Sequence, residues 1–221
     1  MDSKAIEHEL NFWKGFVQTE RFLVGWCGHH KTPELREQVA DFILSVPHHK
    51  VLDVGSGVVS ILNGLIPKEN ITTADPLGDH YKTIFDYQSH GIEAPLAYRA
   101  EEIPFENEFD IVHISNALDH SQDPQAAFAA LLKAVKPGGY LIVQGFENEG
   151  KFENWQGFHQ WNIELCDPNY RVDMPGYFLN LANKHGEEYI LSSTPENTSL
   201  YELENGKTWF VWIEKKEVPS E

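Results

Sequence analysis

The sequence predicts one doubly wound α/β domain, in which helices cover both faces of a mostly parallel β-sheet. Two short apolar runs, residues 51–54 and 111–114, are rich in β-branched residues and end at Gly or Ser, as buried parallel strands do. The stretches between these runs and their neighbours are long enough to hold crossover helices. A chain of 221 residues can bury one such core and is short for two.

Three further segments, residues 71–74, 96–98 and 140–143, are predicted as strands of the same sheet. The clearest helix begins after Asp123, which is a good N-cap, with Pro124 in the first helical position. Apolar residues then recur at helical spacing, at Phe128, Leu131, Leu132 and Val135. This stripe predicts that the helix docks on the sheet.

The segments around this core, residues 47–145, are expected to add a cap, a lid and a hairpin to the single domain. Residues 1–46 are predicted to be helical, with a second helix from about Thr32-Pro33 to Leu44. The aromatic residues of this cap either cover the ligand-binding edge of the sheet or pack as ordinary core; they are Phe12, Trp13, Phe16, Phe22 and Trp26.

Residues 146–172 form a long segment that is predicted to be an irregular substrate lid, because Trp155, Phe158, Trp161 and Tyr170 argue against disorder. In residues 173–221, a short helix is predicted near 175–185 and a strand at 188–191. Asn205-Gly206 between two β-rich runs is typical of a hairpin, so the sheet is expected to end in antiparallel strands.

Charge and cysteine content exclude several classes of function. The 17 Lys and Arg residues against 34 Asp and Glu residues give a net charge of −17, which disfavours nucleic acid and anionic membranes as partners. Cys27 and Cys166 have no CxxC spacing, so neither a disulfide framework nor a thiolate zinc site is expected. A small-molecule substrate and a cytoplasmic location are therefore expected, and a homodimer is left open.

No metal site is predicted from the histidines. The pairs His29-His30 and His48-His49 are interpreted as solvated loop residues, because adjacent side chains point in different directions in regular structure.

A glycine loop follows the first strand, in Asp53-Val54-Gly55-Ser56-Gly57. The two glycines allow a sharp turn and a close approach of a ligand to the backbone. Asp75 ends the next strand about twenty residues later, which is the interval at which doubly wound folds place an acid against ribose hydroxyls. The alternative is that Asp75 only forms the turn before Pro76.

Five segments in this order resemble a class I S-adenosylmethionine-dependent methyltransferase: residues 51–57, Asp75, 100–105, 109–112 and 136–141. The resemblance covers about residues 48–145. It implies S-adenosylmethionine as the cofactor, S-adenosylhomocysteine as the product, and a seven-stranded sheet of order 3-2-1-4-5-7-6 with an antiparallel final strand. Val59 departs from the family pattern, since a third small residue is usual there, and it is expected to narrow the cofactor pocket.

The same resemblance implies positions for the cofactor residues. Gly55 and Gly57 would line the methionine moiety, and Asp75 would bind the ribose. Ala100 with Glu101 would border the adenine. The full set expected at the cofactor is Asp53, Gly55, Ser56, Gly57, Asp75, Pro76, Leu77, Ala100, Glu101, Ser115 and Asn116, the last two at the sulfonium end.

Methyl transfer to a hydroxyl benefits from a general base, and histidine has the most suitable ordinary pKa. His120 follows the fourth predicted strand at the ligand-binding edge, and His159 lies within the predicted lid. Either is a candidate base; the alternatives are that His120 only supports its turn and that the aromatic residues of the lid only anchor it. The residues expected to contact substrate are Tyr81, Trp155, Gln160, Trp161 and Asn162. Leu77 and Tyr81 are also placed to pack against adenine or ribose, or simply to begin a helix.

The lid and Asp75-Pro76-Leu77 are also similar to bacterial methyltransferases that modify surface sugars and their phosphorylated substituents. The preferred hypothesis is O-methylation of a carbohydrate or of a phosphorylated or phosphoramidate-type sugar substituent. One alternative is an NAD-dependent oxidoreductase, since an acid after a glycine-rich turn also suits NAD. The other is a binding module that holds S-adenosylmethionine without transferring its methyl group.

Overall fold

A computed structural model describes residues 3–27, 35, 37–47, 50–166, 178–192, 198–203 and 208–216. Its main sheet has six strands in the order β2-β1-β3-β4-β9-β8. These strands are β1 (Val51–Val54), β2 (Ile71–Ala74), β3 (Phe109–Ser115), β4 (Val135–Phe146), β8 (Thr198–Leu203) and β9 (Thr208–Lys215). β1 to β4 run parallel, whereas β9 pairs antiparallel with both β4 and β8. The mostly parallel sheet and its antiparallel end are thus confirmed.

The buried side chains of the parallel strands alternate between two apolar layers. Val51 and Ile111 pack with helix α2 (Glu37–Ser45) on one face. Leu52 and Val112 pack with helix α5 (Pro124–Ala134) on the other face. Helices therefore cover both faces, and the carboxyl ends of the strands are left as the open edge where ligands bind in such sheets.

The start of α5 follows the sequence prediction. The Asp123 side chain accepts hydrogen bonds from the backbone amides of Gln125 and Ala126, both at 3.0 Å. Pro124 occupies the first helical position, where a missing amide hydrogen costs nothing.

The prediction of a strand at residues 96–98, which would be strand 3 of the expected seven, is wrong. Leu96 forms only an isolated bridge to Ala74, although this places it beside β2, where strand 3 of the predicted order belongs. Leu96 and Tyr98 are both exposed. Pro95, which precedes the bridge, has no backbone N–H to extend the ladder.

A second, three-stranded antiparallel sheet replaces two predicted features. It contains β5 (Trp161–Cys166), β6 (Phe178–Asn183) and β7 (Glu188–Ser192). The helix predicted near 175–185 is therefore wrong, and the lid predicted at 146–172 is irregular only in part: it also contains α6 (Glu149–Phe152) and β5. Leu179 and Leu181 alternate with Asn180 and are buried in the same apolar layer as α5, so period-2 burial decides the structure here.

The described part of the N-terminal cap is helical, as predicted, with α1 (Ser3–Phe16), a π-helical turn (Phe22–Trp26) and α2. Short helices α3 (Gly78–Tyr81) and α4 (Tyr87–His90) follow β2. The segment Thr32-Pro33, the two histidine pairs and Asn205-Gly206 lie outside the described residues. In the described residues no helix is long and apolar enough to cross a membrane.

Candidate active site at the carboxyl ends of the parallel strands

A cavity of about 1040 Å³ lies where β1, β2, β3 and β4 end. This volume is at the upper end of the range for small-molecule sites, so it has room for a cofactor and a small acceptor together. Every residue predicted at the cofactor lines it, as do His120, His159 and four of the five predicted substrate residues: Tyr81, Trp155, Gln160 and Trp161.

Asn162 is the exception among the predicted substrate residues. It is not part of the cavity wall, and its side-chain oxygen accepts a hydrogen bond from the backbone amide of Lys151 at 2.8 Å. Asn162 therefore ties β5 to α6. Its position at the start of an antiparallel strand, which the sequence prediction missed, directs the side chain to this neighbour.

The two glycines of the loop are required by their backbone and by their neighbours. Gly55 and Gly57 have φ values of +66° and +64°, in the left-handed region. A Cβ atom on Gly55 would lie 2.3 Å from the Cβ of Ala117, and one on Gly57 would lie 2.3 Å from the Trp13 ring. The sequence predicts that a ligand approaches the backbone of this loop closely. At Gly57 the Trp13 side chain of α1 makes such a close approach.

Asp75 is a buried carboxylate at the end of β2, with 7% of its surface exposed. Its Oδ2 accepts a hydrogen bond from the Gly57 amide at 3.0 Å, and its Oδ1 accepts one from the Leu77 amide at 2.9 Å. The bond to Leu77 is the turn that the alternative interpretation predicts. Tyr81 donates a third hydrogen bond to this carboxylate, which keeps one further lone pair for a hydroxyl group in the cavity.

Burial raises the pKa of Asp75 from its ordinary value of 3.8 to about 6, against the lowering effect of its two amide donors. The charge of Glu9 adds to the increase, and a hydrogen bond from Tyr81 opposes it. Tyr81 thus lies beside the predicted ribose-binding carboxylate, which is the cofactor side of the cavity.

Asp53 has a structural role in addition to lining the cavity. Its Oδ1 lies 2.7 Å from Nδ1 of His113, and Nε2 of His113 lies 2.7 Å from Nε2 of Gln144. The Gln144 amide donates to Nε2 of the imidazole, so Nδ1 carries the proton that is donated to Asp53. His113 is not among the residues predicted from the sequence; the parallel register that pairs it with Asp53 is the signal that could have indicated it.

Glu101 also has partners outside the predicted adenine site. Its Oε1 accepts hydrogen bonds from the backbone amides of Gln122 and Asp123 at 2.7 and 3.2 Å, and from the Arg99 guanidinium at 3.2 Å. This carboxylate connects the turn after residue 99 to the start of α5. Ala100 lines the cavity next to it.

The two candidate bases meet in one cluster with a third residue, Asp119. Nδ1 of His159 lies 2.6 Å from Oδ2 of Asp119 and 3.1 Å from Nε2 of His120. Asp119 is 4% exposed in its side chain, His159 is 16% exposed and His120 is 23% exposed. The Asp119 carboxylate is therefore buried at the inner side of the cluster, and the two imidazole rings face the cavity.

The charges in this cluster favour an ionised Asp119. Burial acts to raise the pKa of Asp119, but the two histidines outweigh it and the pKa lies below its ordinary value. Burial acts to lower the pKa of His159, but the hydrogen bond and the charge of Asp119 outweigh it and hold that pKa above its ordinary value. Asp119 is thus able to orient the imidazole as a charged acceptor.

The segment that carries His159 is fastened to the turn that carries Asp119 and His120. The backbone amide of Gln160 donates to the Asp119 carbonyl at 3.0 Å, and its side chain donates to the His120 carbonyl at 3.1 Å. Nε1 of Trp161 donates to the Ser121 carbonyl at 2.8 Å. Gln160 and Trp161 therefore anchor this segment, in agreement with the alternative stated for the lid aromatics, while their remaining surface lines the cavity.

Helix α1, near the N-terminus of the chain, lies over the cavity. Phe12, Trp13 and Phe16 line it, and Nε1 of Trp13 donates to Glu9 at 2.9 Å. His8 lies against Gly157, in the segment next to His159. Four of the five aromatic residues of the cap therefore border the ligand cavity and Phe22 is buried core, so each of the two possibilities left open by the sequence holds in part.

Val59 does not narrow this cavity. It is buried in a separate apolar cluster with Phe22 and Tyr81 and is not part of the cavity wall. The expectation of a narrowed cofactor pocket is thus wrong, because the side chain points into the contact with the N-terminal cap.

The residues present fit the adenosylmethionine group that the resemblance implies. Asp75 offers two buried acceptor oxygens at the cavity wall, the distance between carboxylate and glycine loop is fixed by the Gly57 amide, and the cavity has the volume required. Ser115 and Asn116 border the same space at the end of β3.

Comparison with known proteins places this fold in one family. A family model described as "Methyltransferase domain" matches residues 28–178. The ubiquinone/menaquinone biosynthesis C-methyltransferase UbiE of Cupriavidus taiwanensis is 32% identical over 117 residues, 48% of this chain and 46% of that protein. The ubiquinone biosynthesis O-methyltransferase of Hydrogenovibrio crunogenus is 32% identical over 118 residues, 51% of this chain and 49% of that protein. The chain thus spans about half the length of these curated relatives.

Solved structures show the same fold. An S-adenosylmethionine-dependent methyltransferase of Thermotoga maritima, described as a possible histamine N-methyltransferase, aligns with a TM-score of 0.53 at 16% identity, over 96% of this chain and 98% of that one. The 1,6-didemethyltoxoflavin-N1-methyltransferase of Burkholderia thailandensis, solved with S-adenosylhomocysteine, aligns with a TM-score of 0.53 at 14% identity, over 96% and 85%. With the sheet, the glycine loop and the matched domain in agreement, the chain belongs to the class I family of S-adenosylmethionine-dependent methyltransferases.

Proposed function

We propose that this protein transfers a methyl group from S-adenosylmethionine to a hydroxyl group of a small polar acceptor, with His159 taking the hydroxyl proton. The observation that carries the proposal is the 2.6 Å contact between Nδ1 of His159 and Oδ2 of Asp119 at the cavity wall. When bound, S-adenosylmethionine supplies a methyl group on a positively charged sulfur. The residues of the chain must then position the acceptor, exclude water and remove one proton.

The hydrogen bond to Asp119 fixes the state of the His159 imidazole. A carboxylate only accepts, so the proton between the two atoms belongs to Nδ1 of His159, and in the neutral imidazole Nε2 carries the free lone pair. This nitrogen can accept the proton of a hydroxyl group as the oxygen is methylated. Ionised Asp119 stabilises the imidazolium that results, which is the arrangement used by other carboxylate-histidine pairs in catalysis.

The aromatic side chains of the cavity favour a carbohydrate or a similar polyhydroxyl compound as the acceptor. Trp155 and Phe158 both line the cavity and precede His159 in the same segment. Trp155 adopts a φ of +58°, which is uncommon for a bulky residue and costs of order 1 kcal/mol or more. Backbone strain of this kind concentrates at binding sites, so we assign Trp155 to the acceptor wall. A phosphorylated or phosphoramidate-type substituent would meet Lys184 and His185, which line the same cavity.

A variant at the proposed base tests the mechanism. His159→Gln is expected to lower kcat by about 10²–10⁴-fold, with the Kd for S-adenosylhomocysteine almost unchanged. The matched control is His80→Gln, because His80 is an exposed histidine outside the cavity wall. Transfer is measured with labelled S-adenosylmethionine against a panel of methyl glycosides and sugar phosphates. A His159→Gln enzyme with the kcat of the parent protein would contradict the proposal.

Calorimetric titration separates this proposal from its two alternatives. Binding of S-adenosylhomocysteine without binding of NAD is expected, and the reverse result would indicate an oxidoreductase. Binding of S-adenosylhomocysteine without turnover on any acceptor of the panel would indicate the non-catalytic module.

A further inference from the structure

Three possible metal-ligand atoms lie close together beside the cavity wall. They are Oδ2 of Asp119, Nδ1 of His159 and Nε2 of His120, separated by 2.6, 3.1 and 3.6 Å. They belong to a group of side chains whose ligand atoms all lie within 4.8 Å of one another. Carboxylate oxygen and imidazole nitrogen are the donors that zinc and similar divalent transition metals prefer.

When no metal ion is bound, a single proton lies between Nδ1 of His159 and Oδ2 of Asp119. Because Nδ1 of His159 donates to Asp119, it cannot also accept a hydrogen bond from His120. Nε2 of His120 therefore faces the same N–H as a second acceptor, 3.1 Å from Nδ1. A cation placed between the three atoms would satisfy all three lone pairs, whereas the proton satisfies the carboxylate well and His120 only weakly.

The dimensions of the cluster match a metal site closely. Ligands bound to zinc at 2.0–2.2 Å in a tetrahedron lie about 3.4 Å apart, so the observed separations need to change by a few tenths of an ångström up to about 0.8 Å. The fourth position is open, since His120 and His159 both line the cavity. Glu149 is near enough for its charge to act on His159, so the surroundings favour a positive ion.

We infer that Asp119, His120 and His159 form a binding site for a divalent transition-metal ion of the zinc class, and that this ion competes with methyl transfer. The competition follows from the two nitrogens of one ring. With the metal on Nδ1, the single proton of neutral His159 stands on Nε2, the atom that must accept the hydroxyl proton. The second part of the inference rests on the proposed function; the binding of the ion does not.

Binding is tested first, on the full chain after removal of metal by a chelator. Titration calorimetry with Zn²⁺ is expected to show one ion bound per chain, and Co²⁺ is expected to give the visible absorption of a site with nitrogen and oxygen ligands. His120→Gln and Asp119→Asn are each expected to weaken Zn²⁺ binding by at least about tenfold. His80→Gln is the control for a histidine that lies elsewhere. Equal Zn²⁺ affinity in the parent protein and in both cluster variants would overturn the site, and urea unfolding of each variant shows that it is folded.

Inhibition is tested second, as the rate with Zn²⁺ divided by the metal-free rate of the same protein. The parent protein is expected to lose most of its methyl transfer at saturating Zn²⁺, and chelator is expected to restore it. His120→Gln is expected to keep a larger fraction of its own metal-free rate at the same Zn²⁺ concentration. Stimulation by Zn²⁺ would overturn the competition while leaving the site in place. A protein that binds Zn²⁺ but transfers no methyl group to any acceptor would contradict the proposed function alone.

Discussion

The affinity for the cofactor is expected to fall as pH decreases from 7 to 5, because the Asp75 carboxylate accepts hydrogen bonds from the ribose best when it is ionised. The pKa of Asp75 is raised to about 6 by burial in the cofactor-free protein. At pH 5 only about one tenth of the molecules then carry the charged form, so the Kd for S-adenosylhomocysteine should be about tenfold higher than at pH 7. At pH 6 the increase should be about twofold.

The assay is titration calorimetry at several pH values, each in two buffers with different ionisation enthalpies. Near pH 5.5 the binding of S-adenosylhomocysteine should release a proton, which makes the measured enthalpy depend on the buffer. Asp75→Asn is the control, because its side chain has nearly the same shape but no charge. The variant should bind more weakly at pH 7 and show a flat profile from pH 5 to 7. A pH-independent Kd in the parent protein, or an equal slope in the variant, would refute this reasoning and assign the slope to Glu9 or a histidine.

The same carboxylate is expected to destabilise the cofactor-free fold at neutral pH. A group whose pKa is raised on folding favours the fold fully below its unfolded pKa, here 3.8, and this contribution is lost as pH rises through about 6. The difference of about two pH units corresponds to about 3 kcal/mol at pH 7. Asp75→Asn removes this cost but also loses one amide hydrogen bond worth about 1 kcal/mol, so its free energy of unfolding should rise by about 2 kcal/mol. The gain should vanish at pH 4, which urea titrations at the two pH values would show.

Three further changes test the glycine loop, the catalytic pair and the second sheet. Gly57→Ala should lower the free energy of unfolding by about 2 kcal/mol or more, because φ is +64° and the new Cβ meets Trp13; Trp13→Ala in the same chain should restore part of it in urea unfolding. Asp119→Asn should lower kcat at least about 100-fold with little change in the Kd for S-adenosylhomocysteine, measured by product release and calorimetry. Leu181→Ala should cost about 2–4 kcal/mol in urea unfolding because Leu181 is fully buried, whereas Asn180→Ala on the other face of β6 should cost under about 1 kcal/mol; equal costs would contradict the strand.

The central sheet could be predicted because its signals are local. Residues 51–54 and 111–114 are short, mainly apolar runs that end at turn residues, and their burial in parallel strands follows directly from that composition. The same holds for the N-cap at Asp123. The strand at residues 178–183 could not be assigned in this way, because two alternating leucines in six residues also fit a short helix. Its burial against α5 decides the matter, and that contact joins parts of the chain far apart in sequence.

The candidate site also has residues that local sequence signals could predict and residues that depend on contacts between distant parts of the chain. The predicted cofactor residues follow strand ends, so the rule that ligands bind at the carboxyl edge of a parallel sheet was sufficient to expect them around one cavity. Asp119 was missed, since its role depends on His159, which is 40 residues further along the chain. No periodicity or spacing in the sequence indicates that contact. The hydrogen bonds of Gln160 and Trp161 to the turn at residues 118–121 create it.

The two buried carboxylates of the site, Asp75 and Asp119, have pKa shifts of opposite sign, which suit the two different roles proposed for them. Asp75 is surrounded by neutral amide donors and the charge of Glu9, so burial dominates and its pKa is raised. Asp119 is equally buried but faces two histidines, so its pKa is lowered. Asp75 therefore gains most when hydroxyl donors arrive, which suits a ribose contact, whereas Asp119 is charged before any ligand binds and can hold His159 in the state that accepts a proton. In the proposed mechanism separate carboxylates serve the cofactor and the acceptor, so a change at Asp75 should act on Kd and a change at Asp119 on kcat.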